Sequence, residues 1–138
     1  MPVFTSTHGE LRFTLHPPRV CSSVMTGAFD GALVDRFLGV HDEWLALGAS
    51  RLQGFHDWAA MTDYDFAAHL AITKWILKHR HRIAGIHVLV RLPKVRLGIE
   101  VANFALGRIL QIHDARPPFN EAFRLALQKN AAGASAGR

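Results

Sequence analysis

The chain has 138 residues, 49% hydrophobic and 20% charged, a balance that suits one globular domain and excludes a low-complexity or disordered chain. Cys21 is the only cysteine, so no intramolecular disulfide can form, and no run approaches the roughly 18 apolar residues of a membrane helix. The formal charge of +5 is unevenly spread: seven acids and two bases lie from Asp30 to Asp65, then seven bases and no acid from Phe66 to Ile99. Such asymmetry points to a charged patch or a self-complementary surface, and so to a possible homodimer. The opening MPVFTSTHGELRF lacks the basic-then-apolar pattern of a leader, and with a lone thiol the expected location is cytoplasmic.

In chain order, Leu11, Phe13 and Leu15 alternate with Arg12, Thr14 and His16, the period of a half-buried strand. Pro17 and Pro18 force a turn, Arg19–Thr26 forms the second arm of a hairpin, and Gly27 marks the way out. Leu33, Phe37, Val40, Trp44 and Leu47 then follow helical spacing, with Asp30 as N-cap and Gly48 as stop. Ser50–His56 reads as a short third strand. Thr62 and Asp65 fit a capping box, so a helix is expected from about Asp63 to His81, with acids at its positive end and Lys78, His79 and Arg80 at its negative end.

Ile83–Leu92 contains Ile86-His87-Val88-Leu89-Val90, the mark of a strand covered on both faces, and Pro93 ends it. Lys94–Leu106 is helical, Gly107 terminates it, Arg108–His113 is a short strand, and Pro117–Gln128 carries Phe119, Phe123 and Leu127 along one helix face. The Ala/Gly/Ser stretch 130–138 is expected to be a disordered tail, leaving a domain over 1–129. The expected fold is α/β: a mixed sheet of about five strands with about four helices, its later strands parallel and joined by right-handed crossovers.

Several short stretches in this order resemble one family. They are Gly27-Ala28-Phe29-Asp30-Gly31 leading into a helix, His56-Asp57-Trp58 closing a strand, and Tyr64-Asp65 opening the next helix. His87-Val88-Leu89-Val90-Arg91 and Gly98-Ile99-Glu100-Val101-Ala102-Asn103 complete the set. Together they make Val20–Leu127 similar to the SpoIIAA-like group of the STAS superfamily, the fold of anti-sigma factor antagonists, with CRAL-TRIO lipid-transfer domains as broader relatives. The resemblance implies a signalling module that works by protein–protein interaction. One departure matters: antagonists of this kind carry Asp-x-Ser…Asp-Ser-Ser-Gly with a phosphorylated Ser at a helix start. Aligning Asp57 and Asp65 with the two acids puts Ala67 on the second of the paired serines, and no Ser occurs between Ser50 and Ser135. The phospho-acceptor is therefore missing, and Thr62 is the lone nearby hydroxyl.

The expected function is a non-catalytic regulatory binding module, with Asp57, Trp58, Thr62, Asp63 and Tyr64 at the position matching the family's regulatory loop. Its rival is a lipid- or small-anion-binding domain that associates with membrane surfaces. For that rival, His56, Arg91, His113 and Asp114, together with Asp57, would form a polar pocket at the strand ends. A basic patch of Lys78, Arg80, Arg82, Lys94 and Arg96 would meet an anionic surface. Nucleic acid is not expected, because Trp75 is the only aromatic residue between Phe66 and Ile99. No enzyme signature is present, and Cys21 has no obvious base beside it in sequence. No cofactor or metal is expected: the His79-Arg80-His81 motif sits among cations, and with Cys21 as the only thiol no zinc set of cysteine type is expected to form.

Overall fold

A computed structural model describes residues 2–136. The elements are β1 (Val3–Thr5), β2 (Gly9–His16), β3 (Val20–Phe29), α1 (Gly31–Ala46), β4 (Leu52–Tyr64), α2 (Phe66–His79), a 3-10 turn (Arg80–Arg82), β5 (Ile83–Val90), α3 (Pro93–Ala105), β6 (Leu110–His113) and α4 (Arg116–Ala136). The strands lie side by side in chain order as a six-stranded sheet. β1, β2 and β3 form an antiparallel meander, and β3 to β6 are mutually parallel, each joined to the next by a helix. The mixed α/β architecture follows the sequence pattern, with β1 as a sixth strand too short to show a period.

The sheet separates two cores. On one face Leu11, Phe13, Cys21, Met25, Trp58 and Val88 pack beneath α1, α2 and α3, which contribute Leu33 and Phe37, Ile72 and Ile76, and Val95 and Ile99. On the other face a smaller core of Val20, Phe55 and Leu89 lies beneath Phe119 and Ala126 of α4. Alternation along β4 and β5 produces this division: Phe55 and Leu89 face α4, whereas Trp58 and Val88 face the three-helix side.

Three local expectations need correction. Gly27 does not end β3: it stays in the strand at φ +82°, where the register with β4 shifts, and pairing continues to Phe29. That extra length of β3 gives β4 a partner as far as Tyr64, so Thr62 and Asp63 are strand residues rather than the start of a helix. The cap of α2 is Asp65, whose side chain accepts from Ala67 N at 2.9 Å. Asp30, by contrast, caps α1 as expected, accepting from Leu33 N at 3.1 Å.

The third correction concerns the C-terminal stretch, where α4 continues through Ala136. Asn130 pins it to the β2–β3 turn, accepting from Arg19 N at 3.0 Å and donating to His16 O and Pro17 O at 2.9 and 3.0 Å. High alanine content favours helix once such an anchor exists. Residues 137–138 of the expected tail lie outside the described residues.

Candidate functional site

The sheet breaks up the expected polar pocket. His56 lies in the middle of β4 and points into the three-helix core, buried, whereas His113 faces α4, 5.7 Å from the Phe119 ring. Arg91 is exposed after β5, and Asp114 pairs with Arg96 at 3.2 Å. The reason is geometric: His56 is eight residues short of the end of β4, and adjacent strand residues point to opposite faces. Asp57 therefore faces α4, where Arg116 Nη1 donates to it at 2.7 Å.

The basic residues do not form one patch either. Lys78 and Arg80 lie at the end of α2 that leads into β5, while Lys94 and Arg96 follow the far end of that strand, roughly 25 Å away at about 3.3 Å per residue. Arg82 turns inward and donates to Leu45 O at 3.0 Å and to Ala49 O, holding carbonyls where α1 ends. Arg96 pairs with Glu100 as well as Asp114, and Lys94 with Asp63 at 3.5 Å. Some of the opposite charge in the two segments is thus matched within the chain. Of the expected partner-binding residues, Thr62 and Asp63 are exposed, Tyr64 is half-buried, and Trp58 is a core residue packed against Phe29.

The parallel pairing of β3 and β4 creates a cluster that sequence spacing does not announce. Cys21, Ser23 and His56 all face α1, and Ser23 is the register partner of His56. α1 adds His41, four residues beyond Phe37 on its inner stripe. Cys21 Sγ lies 3.7 Å from His41 Nε2, His41 Nδ1 lies 2.8 Å from Phe37 O, and His56 Nδ1 lies 2.7 Å from Ser23 Oγ. Burial pushes the Cys21 thiol up to about 12, and it depresses His41 to about 4 and His56 to about 3, the latter also through the neighbouring His41. At neutral pH the cluster is a thiol beside two uncharged imidazoles. Cys21 therefore does have imidazoles beside it, contrary to the sequence expectation.

On the α4 face, His87 stacks on Phe55 at 4.6 Å, and its Nδ1 lies 3.0 Å from His113 Nε2. Burial and then the His113 neighbour lower His87 to about 4.

A search of solved structures finds a match to a crystal structure of an uncharacterized protein from the DUF3478 family, from Shewanella loihica PV-4. The TM-score is 0.64 at 11% identity, covering 86% of this chain and 97% of that one. That protein is described as having a SpoIIAA-like fold. The present chain has the same fold. No family model and no curated protein matches the sequence.

Within the SpoIIAA-like fold, the corner where β4 ends and α2 begins has a neighbour that the sequence pattern hides. α3 buries Val95, Ile99 and Ala102 but also carries Leu97, Val101 and Phe104 outward at spacings of four and three. Phe104 is 78% exposed and Phe66, at the start of α2, is 72% exposed. Phe66, Leu97 and Val101 line a surface groove with Lys94, Tyr64 and His69. The guanidinium of Arg108 lies 5.8 Å from the Phe104 ring centre. A second apolar stripe on an already buried helix was legible at positions 97, 101 and 104, but the inner stripe masks it. No helix among the described residues is long and apolar enough to cross a membrane.

Proposed function

We propose that this SpoIIAA-like chain is a non-catalytic regulatory binding module that docks an acidic, amphipathic protein partner across the outer faces of α2 and α3. One observation carries the reading: Phe66, Leu97 and Val101 line one groove as exposed apolar residues, and Phe104 is exposed one turn further along α3. Contiguous apolar surface of this kind marks an interaction site. Each such side chain contributes roughly 1.5–3 kcal/mol when fully buried, against an association cost of about 4–15 kcal/mol, which suits regulated rather than permanent binding. Lys94, whose exposed contact with Asp63 is loose at 3.5 Å, lines the groove and Arg108 lies over Phe104, so two copies meeting through this face would bring like charges together, and an acidic partner is favoured instead. Against catalysis stands the burial of the one thiol.

The test places a photo-crosslinking residue at Val101 and, separately, at Glu121 on α4, in the cell of origin. One discrete protein adduct is expected from position 101 and none from 121, with the adduct lost when Lys94 and Arg108 are reversed to Glu. Equal adducts from both positions, or adducts only to a second copy, would refute the reading.

A second reading, an apolar-ligand carrier working at membrane surfaces, draws on one feature. Tyr64 and His69 line both the groove and an interior apolar cavity of about 50 Å³. That volume holds a few waters at roughly 10–15 Å³ each, not an acyl chain, so α2 and α3 would have to part. A lipid retained in native mass spectrometry, together with sedimentation on anionic vesicles lost in Phe104→Ser, would favour it.

A further inference from the structure

The docking face leaves the Cys21, His41 and His56 cluster without a role. The ligating atoms of these three buried residues all lie within 4.8 Å of one another. Each imidazole is held from its far side. A carbonyl can only accept, so the contact with Phe37 O fixes the His41 proton on Nδ1 and leaves the Nε2 lone pair facing Cys21 Sγ. For His56, Ser23 engages Nδ1, and Nε2 lies on the side of Gly54, where an added Cβ would sit 2.7 Å from it. Gly54 is the register partner of Cys21, so this Nε2 also turns towards the thiol. The three residues and Gly54 surround a cavity of about 20 Å³, room for one ion or one water.

The geometry points to a buried site for a zinc-class divalent cation, held by Cys21 Sγ, His41 Nε2 and His56 Nε2. Tetrahedral bonds of about 2.3 Å to sulfur and 2.0–2.1 Å to nitrogen put the S and N ligands about 3.6 Å apart, which the 3.7 Å between Cys21 Sγ and His41 Nε2 already meets. The ligand atoms of all three residues lie within 4.8 Å of one another, so the separation of Cys21 Sγ from the His56 nitrogen exceeds the bonded one by no more than about 1.2 Å. Fixing the remote nitrogen of a ligating imidazole on a carbonyl or hydroxyl is the usual outer support of such sites. One thiolate with two imidazoles suits zinc-class rather than magnesium- or calcium-class ions. As the cation binds, the Cys21 thiol gives its proton to solvent and the sulfur forms the metal bond, while His41 keeps its proton on Nδ1 towards Phe37 O and His56 carries its own on Nδ1 towards Ser23 Oγ. The neighbouring apolar cavity of about 50 Å³, which His41 and His56 also line, has room for a water as fourth ligand. The Trp58 ring lines that second cavity, and its Nε1–H is buried without a described hydrogen-bond partner. The bound ion would tie β3, β4 and α1 together, making folding stability depend on metal.

Cobalt(II) titration of the chelator-treated full chain, free of added histidines, tests the site. We expect one equivalent to give thiolate-to-cobalt absorption in the near ultraviolet and intense visible bands, both abolished by added zinc. Cys21→Ser removes the near-ultraviolet band. His41→Gln and His56→Gln weaken binding at least about tenfold, and His79→Gln, His87→Gln and His113→Gln leave it unchanged. Zinc raises the Tm of the parent chain but not of Cys21→Ser. The parent titration decides the matter even where a variant folds poorly: no near-ultraviolet band overturns the site. So does a band that survives His41→Gln and His56→Gln but disappears with His79→Gln.

Discussion

Replacing Gly54 by Ala probes the packing on which the buried cluster depends. The new Cβ would lie 2.7 Å from His56 Nε2 and 3.4 Å from Cδ2 of the same ring. Taking 3.4 Å as the lower limit of ordinary contact, the overlap with the nitrogen is about 0.7 Å. The ring cannot swing away freely, because Ser23 holds Nδ1 and the Phe37 ring lies 5.1 Å off. Overpacking of this kind costs about 1–3 kcal/mol, while the loss of glycine freedom in the unfolded chain returns about 0.5 kcal/mol. Gly85 in β5 is the control: it too is a strand glycine, but an added Cβ there meets nothing within 4 Å. The two variants should therefore differ by about 2 kcal/mol, or about 8 °C in Tm for a domain of this size. Thermal unfolding by circular dichroism, with chelator present, measures the difference without any contribution from metal. Equal melting temperatures for Gly54→Ala and Gly85→Ala would refute the packing argument, and Gly54→Ala melting higher would do so more strongly.

Asn130→Ala should lower stability by about 1–2 kcal/mol in urea unfolding, because it removes three hydrogen bonds that join α4 to the β2–β3 turn. An unchanged midpoint would mean that α4 does not hold this turn. Phe104→Ser should change stability by less than about 0.5 kcal/mol, since the ring is 78% exposed, while it weakens crosslinking from position 101. A large loss of stability would place the ring in the core instead. Acidification should destabilise the chain in part through His87. Its affinity for a proton is lowered on folding from 6.5 to about 4, so the unfolded chain protonates first and stability falls as pH drops from about 6.5 towards 4. His87→Gln should flatten that slope in urea titrations at pH 7 and 4.5, and an identical slope would exclude His87 as a contributor.

Local signals carried most of the fold. Asp30 and Gly48 bracket α1 as read, Pro93 lies past the end of its strand as read and also takes the first position of α3, and the apolar run Ile86–Val90 lies in an inner strand covered on both faces. The errors cluster where a distant strand overrides a local preference. Thr62 and Asp65 fit a capping box in isolation, yet the pairing of Phe29 with Tyr64 holds Thr62 and Asp63 in the strand and passes the cap to Asp65. Gly27 looks like a turn because glycine ends strands, but here its positive φ absorbs a register shift while pairing continues. Neither outcome depends on residues within a few positions, so no short window contains it.

The same argument governs the sites. Cys21, His41 and His56 are twenty and fifteen residues apart, spacings that belong to no metal motif. They meet because a parallel β3–β4 pair sets Cys21 opposite Gly54, and the crossover helix α1 brings His41 over the join. Conversely, His56 and Asp57 are adjacent in sequence and read as one polar unit, but the strand sends one to the thiol and the other to Arg116. In a parallel sheet, neighbours in space along one face come from different strands, and neighbours in sequence are divided between two faces. A polar cluster in such a fold is therefore better sought in residues related by register than in residues that stand together. Cys21, Gly54 and His56 satisfy that criterion, with Gly54 leaving the space into which the His56 nitrogen turns.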